Sequence, residues 1–114
     1  MQAVSGRTWE EFVRERIFAP LQMTSSLTGV AELRPGDVAA PHGMVDGRLQ
    51  VVPLDTADAL GPGGSILSNV AEMASWVRVQ LDSGRIDADR RLWPAPETEA
   101  LWTGRITTSP PRGA

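Results

Sequence analysis

The first apolar residues of the chain recur at the spacing of one helix face. Thr8 can cap such a helix, and Glu11, three residues later, completes a capping box. Pro20 lacks an amide hydrogen and ends the helix, while Gly6 separates it from a short helical piece before it. These signals predict a helix over Thr8–Phe18. Its predicted buried face comprises Trp9, Phe12, Val13, Ile17 and Leu21.

A β-hairpin is predicted in the middle of the chain. The dipeptide Asp46-Gly47 is a strong turn signal, and it separates the short runs Pro41–Val45 and Arg48–Val52. Residues 22–37 before the hairpin and residues 53–64 after it are predicted loops, because they are rich in Gly, Pro, Ser and Thr. A lone hairpin is only marginally stable, so we expect this one to lie on something larger.

A second amphipathic pattern begins after the glycine-rich stretch that ends the second loop. Ser68 or Asn69 can cap it, and Glu72 stands at capping-box distance from Asn69. Gly84 follows at the position expected beyond a helix end. Together these signals predict a helix over Asn69–Leu81. Its predicted buried face comprises Val70, Met73, Ala74, Val77 and Leu81.

The last part of the chain carries weaker patterns. Residues Pro96–Thr103 predict a short third helix with Leu101 and Trp102 turned inward. The tail Thr107–Ala114 contains two adjacent prolines and is expected to be loose. The predicted fold class is therefore mainly α with a short β-hairpin. Four Trp and two Phe are expected to supply much of the core.

Composition narrows the chemistry that the chain can perform. A length of 114 residues corresponds to one domain or part of one, and the net charge of −3 gives nucleic-acid binding no electrostatic support. No apolar run approaches the roughly 18 to 20 residues of a membrane span. There is no Cys, no Tyr and no Lys, and all 11 basic residues are Arg. Cysteine, tyrosine and lysine chemistry is therefore excluded within this chain, and one histidine, His42, remains.

Three sets of residues could in principle carry chemistry. Ser65 could join His42 and an Asp in a triad, but its surroundings lack the second glycine of the Gly-x-Ser-x-Gly elbow. We therefore predict that His42 is a surface or turn-side residue. The stretch Gly61–Ser65 lacks the Gly-Lys-Ser/Thr ending of a phosphate loop, which favours a tight turn. Asp87 with Asp89 has no third ligand at calcium-loop spacing, which favours a solvated turn over a metal site.

Two segments resemble a known family. Residues Ala59–Trp76 resemble the GxGGLxSTxxDMAxW segment of the serine β-lactamase superfamily, most closely class C β-lactamases and their relatives among penicillin-binding proteins and esterases. Residues Gly6–Ser26 are similar to the family's SGxxxxxFxxxxIxxPLGMxxT helix and loop. The likeness covers roughly Ala3 to Ile106 by motif span. One departure is Gln22, where the family usually has glycine, so we expect strain or a different turn there.

The resemblance implies the helical portion of the α/β (α+β) β-lactamase/DD-peptidase-like fold, with residues 1–106 as a partial domain. Family catalysis uses a Ser-x-x-Lys motif, a Tyr-x-Asn motif and a later Lys-Thr-Gly or His-x-Gly motif, and none of them occurs here. We expect the first two to lie before Met1 and the last after Ala114, so no catalytic residue is carried over. No cofactor or metal is implied.

By position, the resemblance places Leu60 where class C enzymes often have an aromatic residue on the wall of the acyl pocket. Leu60, Gly61, Gly63 and Gly64 are therefore candidate pocket-wall residues, with a purely structural turn as the alternative.

Two functions remain open from the sequence. The first is a fragment of a serine hydrolase whose full-length parent acylates its serine with a β-lactam, a peptide or an ester. The second is a free-standing, non-catalytic helical module that uses the segment for binding. The sequence selects neither a substrate nor a cellular location. Exposed apolar surface would also favour self-association, since so short a chain has few ways to bury four Trp.

Overall fold

The computed structural model describes residues 2–34, 36, 38–54 and 61–104. In this part of the chain helices predominate, and a two-stranded antiparallel sheet lies between them. The described residues thus contain the expected helices and the expected hairpin. The elements are α1 (Gln2–Ser5), α2 (Trp9–Val13), a π-helical turn (Arg14–Phe18), a 3-10 turn (Val30–Glu32), β1 (His42–Val45), β2 (Arg48–Val51), α3 (Val70–Leu81) and α4 (Ala95–Trp102).

Helix α2 begins with the predicted capping box. The Thr8 amide donates to Glu11 Oε2 at 2.9 Å, and the Glu11 amide donates to Thr8 Oγ1 at 3.2 Å. The helical path continues to Phe18, but its last turn is a π-helical turn in which the Ala19 amide donates to the Arg14 carbonyl. Pro20 has no amide hydrogen for the next α-helical bond, which accounts for the irregular end of the helix.

Gln22 adopts the left-handed conformation where the family motif has glycine. Its φ is +57°, and its amide donates to the Ala19 carbonyl at 3.2 Å, closing the end of the helix. The strain expected from the sequence is therefore present at this turn, because a side chain at this backbone angle crowds the following carbonyl.

We expect Gln22→Gly to raise the free energy of unfolding by up to about 1 kcal/mol, because glycine removes the left-handed strain at a partly offsetting entropic cost. Gln50→Gly, in the extended strand β2, is the matched control and should lower it by about 0.5–1 kcal/mol. Urea midpoints of the two variants measure the difference. Destabilisation by both changes to the same extent would show that the turn at Gln22 is unstrained.

The hairpin forms as predicted, with slightly shorter strands. Strand β1 pairs with β2 in antiparallel register, Val45 opposite Arg48 and His42 opposite Val51. Asp46 and Gly47 have φ values of +50° and +74°, the pair of left-handed residues that a two-residue hairpin turn requires. Most hairpin side chains are exposed, including the apolar Met44, Val45, Leu49 and Val51.

Helix α3 turns a different face to the core from the one predicted. Val79 is 1% exposed and Trp76 packs against the same core. By contrast, Leu81 is 78% exposed, and the rest of the predicted buried face, Val70, Met73, Ala74 and Val77, is exposed as well. The prediction of that face was wrong because the loop before the hairpin binds Glu72, which lies on the Trp76–Val79 side of the helix.

The small core is formed by side chains from the end of the first helical region and from one face of α3. Trp76 meets Trp93 edge to face, with ring centroids 5.9 Å apart. Trp102 is 66% exposed and Leu101 is exposed as well, so their predicted inward orientation was wrong. The Trp93 indole binds α4 near its middle, at the Thr98 hydroxyl, and the last turn lies beyond that contact. The buried core side chains are Val13, Phe18, Leu21, Met23 and Val79.

A pair of substitutions separates the two faces of α3. We expect Val79→Ala to lower the free energy of unfolding by about 2 kcal/mol, because it opens a cavity in the core. Leu81→Ala should change it by less than about 0.5 kcal/mol, since that side chain is already solvated. Denaturant midpoints of the two variants measure the difference. A larger loss of stability in Leu81→Ala than in Val79→Ala would show that the face predicted from the sequence is the buried one.

Candidate functional site

The glycine-rich corner is a tight turn closed on one carbonyl. Gly61 has φ +46°, and its carbonyl accepts the amides of Gly64 and Ser65 at 3.2 Å. A Cβ atom on Gly61 or Gly64 would meet no atom of the described residues within 4 Å, so these residues leave open space beside both glycines. Leu60, the remaining apolar candidate for a pocket wall, lies outside the described residues.

Ser65 and His42 are each committed to a local hydrogen bond. The Ser65 hydroxyl is buried and donates to the Gly61 carbonyl at 2.9 Å. The His42 Nδ1 lies 2.8 Å from the Ala40 carbonyl on the exposed start of the hairpin. His42 is therefore the surface residue that the sequence predicts, and Ser65 stabilises the turn rather than presenting a nucleophile.

An open groove of about 1150 Å³ begins just after the glycine corner. We call residues 24–34, which form one of its sides, the first loop, and residues 66–69 the second wall. Backbone bonds of 2.9 and 3.1 Å between Leu27 and Leu67 hold the two together. Neither Gly61 nor Gly64 lines this groove. Its polar lining consists of Thr24, Ser25, Glu32, Arg34, Ser68 and Asn69.

Glu72 connects helix α3 to the first loop. Asn69 caps the helix by accepting the Glu72 amide at 2.9 Å, as the sequence predicts. The Glu72 carboxylate, however, accepts the Ser25 amide at 2.8 Å and the Ser26 hydroxyl at 2.5 Å. Ser26 also lies 2.7 Å from the Ser68 hydroxyl, so the network reaches both walls of the groove.

The charge of Glu72 is stabilised in this position. Burial raises the pKa of its carboxyl, but the hydrogen bonds from Ser26 and Ser25 outweigh burial and hold that pKa below its usual value. The carboxylate also lies in the first turn of α3, where the helix dipole favours a negative charge. Glu72 therefore stays ionised at neutral pH.

A second polar cluster braces the other end of the first loop. Glu32 Oε1 accepts the Thr28 amide at 2.9 Å and the Thr28 hydroxyl at 2.6 Å. Arg14 donates to the Thr28 hydroxyl at 2.7 Å and pairs with Glu32 Oε2 at 2.7 Å. The Thr28 hydroxyl bond holds the pKa of Glu32 below its usual value, with burial opposing and Arg14 reinforcing the shift.

The Asp87–Asp89 segment forms a solvated turn. Asp87 accepts the amides of Asp89 and Arg90, and its carboxylate pairs with the Arg90 guanidinium at 2.6 Å. The hydrogen bond from that guanidinium lowers the pKa of Asp87, so the carboxylate is engaged by a cation of the chain itself. In the described ranges, three or more His, Asp or Glu side chains do not converge at a metal-binding distance. The described helices are also too short or too polar to cross a bilayer.

Sequence reasoning missed the residues that build the groove. Glu72 had one local signal, its capping-box position, and that signal predicts a bond back to Asn69 rather than to Ser25. The serines and threonine of the first loop had no signal beyond their loop composition. The described geometry supplies walls and hydrogen-bonding groups. The Ser65 hydroxyl donates to the Gly61 carbonyl, and the Ser26 hydroxyl donates to the Glu72 carboxylate.

Comparison with known proteins gives one match. A family model described as Beta-lactamase matches residues 1–113 of the chain, nearly its whole length. No curated protein and no solved structure gives a significant match.

Proposed function

Because this chain belongs to the Beta-lactamase family, we propose that it supplies scaffold and one pocket wall of a serine hydrolase, without the catalytic residues. The family match over residues 1–113 is the observation that carries this proposal. The complete enzyme would transfer the acyl group of a β-lactam, a peptide or an ester to its serine and then hydrolyse the acyl-enzyme.

The proposed lack of catalytic residues follows from the composition of the chain. An acyl-transfer serine needs a neighbouring base, and the family uses lysine and tyrosine, neither of which occurs in these 114 residues. The buried Ser65 donates to a backbone carbonyl, and a carbonyl cannot take its proton as a base. The nucleophile and its base would therefore belong to residues other than these.

Within that enzyme, Leu60, Gly61, Gly63 and Gly64 are the proposed pocket-wall residues. The open space beside Gly61 and Gly64 supports this assignment, because a wall of a larger site must face space that the described residues leave free. The left-handed φ of Gly61 supports the structural alternative equally, since the turn alone already requires glycine there. We also propose that residues 1–106 form a partial domain and that residues 107–114 form a loose tail. Residues 105–114 lie outside the described residues.

The test of this proposal reads the coding sequence on both sides of the chain and assays the product of the whole reading frame. We expect Ser-x-x-Lys and Tyr-x-Asn in frame upstream. The encoded protein should hydrolyse a chromogenic cephalosporin or a nitrophenyl ester, and Ala in place of that serine should abolish the turnover. A stop codon and a ribosome-binding site directly before Met1 would contradict the proposal and favour the non-catalytic binding module.

The exposed face of α3 leads to a further expectation, that the chain binds apolar dyes and self-associates when alone. Val70, Val77 and Leu81 place exposed apolar surface along one side of the helix. We expect fluorescence enhancement of a naphthalene sulfonate dye, reduced at least twofold by Val77→Gln with Leu81→Gln. The pair Glu97→Gln with Glu99→Gln on α4 is the control and should leave the signal unchanged. A monomeric mass without dye binding would show that this surface is covered.

A further inference from the structure

The groove has walls that are far apart in the sequence and are joined at few points. Ser25 and Ser26 belong to the first loop, and Ser68 belongs to the second wall more than 40 residues later. The first loop is joined to this region by the Leu27–Leu67 backbone pair, by the Ser26–Ser68 hydroxyl bond and by the Glu72 carboxylate.

The contacts of Glu72 depend on its charge. Its two oxygens accept from two different donors, the Ser25 amide and the Ser26 hydroxyl. A protonated carboxyl group would carry a hydrogen on one oxygen and would lose part of its capacity to accept. Hydrogen bonds to a charged acceptor are about twice as strong as neutral ones, so protonation weakens the hold on both donors.

We propose that Glu72 acts as a proton-operated latch: its ionised carboxylate holds the first loop as one wall of the groove, and protonation releases that wall. Glu72 is in this sense a positioning residue, because it shapes the groove through Ser25 and Ser26. The proposal concerns the described chain alone and does not depend on the proposed hydrolase function.

The groups that face Glu72 from both walls are uncharged. They are Ser25 and Ser26 of the first loop and Ser68 of the second wall, and Asn69 binds the Glu72 amide at the helix start. The charged groups that share the groove are Glu32, which pairs with Arg14, and Arg34. The four ion pairs among the described residues do not include Glu72, so its charge is held by neutral donors.

The direction of the pH response follows from these contacts. The folded-state pKa of Glu72 lies below its ordinary value, so the carboxylate is ionised and the latch is closed at neutral pH. It opens as the pH falls through the lowered pKa, because protonation weakens the hydrogen bonds that the ionised carboxylate accepts from the folded loop. Glu32 titrates in the same direction but acts on Thr28, at a different point of the loop.

The experiment is a pH titration of the full chain by two-dimensional amide NMR. In the wild type, the Ser25 amide resonance should move upfield with a midpoint below 4.5. Its hydrogen-exchange protection should fall at least about tenfold through the same range, the loss expected for one charge-assisted hydrogen bond. The Trp76 indole, which packs against the core, reports whether the fold persists.

Three variants separate the latch from a general loss of structure. Glu72→Gln at pH 7 should give the Ser25 shift and protection of the acidic wild type, and Glu72→Ala should show at least as large a loss. Both variants should show no further titration at Ser25. Glu32→Gln is the matched control, because it removes the carboxylate that binds Thr28 and should leave the Ser25 titration intact.

Several results would overturn the latch. A Ser25 resonance that is constant from pH 3 to pH 7, or unprotected at pH 7, would show that Glu72 does not hold the loop. Full protection at Ser25 in Glu72→Ala would do the same. Simultaneous loss of the Ser25 and Trp76 signals would assign the pH response to global unfolding. None of these outcomes bears on whether the upstream reading frame encodes a catalytic serine, so the two proposals fail independently.

Discussion

The purified 114-residue chain should show no hydrolysis of a chromogenic cephalosporin or of a nitrophenyl ester above buffer. The reason is chemical. An acyl-transfer serine needs a base within hydrogen-bond reach, and the chain contains no Lys or Tyr. Removing the nucleophilic unit of a serine protease reduces kcat on the order of a million-fold, and a loss of that size is expected here relative to a complete family enzyme.

Two variants identify any turnover that does occur. Ser65→Ala and His42→Ala remove the serine and the histidine that the sequence offers as candidate members of a triad. In the structure each of these side chains is hydrogen-bonded to a backbone carbonyl. Turnover that disappears in both variants would establish a self-contained Ser–His site and refute the expectation. Turnover that neither variant changes comes from a contaminating enzyme and leaves the expectation intact.

Gly84→Ala should be the most destabilising single substitution among the described glycines. Gly84 has φ +84°, and a Cβ there would lie 2.7 Å from the Trp93 carbonyl oxygen and 2.8 Å from its indole nitrogen. The amide of Gly84 also closes the end of α3 on the Val79 carbonyl at 2.8 Å. The left-handed angle costs about 1–2 kcal/mol and the overlap about 1–3 kcal/mol more, so we expect the free energy of unfolding to fall by about 2–5 kcal/mol.

Gly6→Ala is the matched control for this substitution. Gly6 has φ +70°, yet a Cβ there would meet no atom of residues 2–34, 36, 38–54 and 61–104 within 4 Å, so only the strain of the left-handed backbone applies. We expect Gly6→Ala to lower the free energy of unfolding by about 1–2 kcal/mol. Urea unfolding followed by tryptophan fluorescence measures both variants. Equal losses would show that Trp93 moves aside freely, which would contradict its place beside Trp76 in the core.

The local elements could be predicted well because their signals lie within a few residues. The Thr8–Glu11 capping box, the Asn69 cap and the Asp46-Gly47 turn each depend on hydrogen bonds or backbone angles of near neighbours. Even the strain at Gln22 was predictable, because a side chain stands where the family motif has glycine. The family itself was predictable from two motifs in order, and the match over residues 1–113 confirms it.

The site was less predictable than the elements. The candidate pocket-wall glycines form a closed turn, and the groove lies one step further along the chain, between residues 66–69 and the first loop. Ser25 and Ser26 are more than 40 residues from Glu72, and no local rule links them. Whether Leu60, Gly61, Gly63 and Gly64 form a pocket wall remains a prediction.

The sequence by itself determined where helices and turns begin and end, and which catalytic groups the chain cannot contain. Only the tertiary structure decided which face of α3 is buried. The apolar stripe of α3 is a property of its sequence alone. Whether that stripe is buried depends on which other segment of the chain packs against the helix. Here the first loop binds Glu72, so Trp76 and Val79 face the core and Leu81 faces solvent. A helix pattern specifies that a face can be buried, whereas a contact between distant segments specifies which face is.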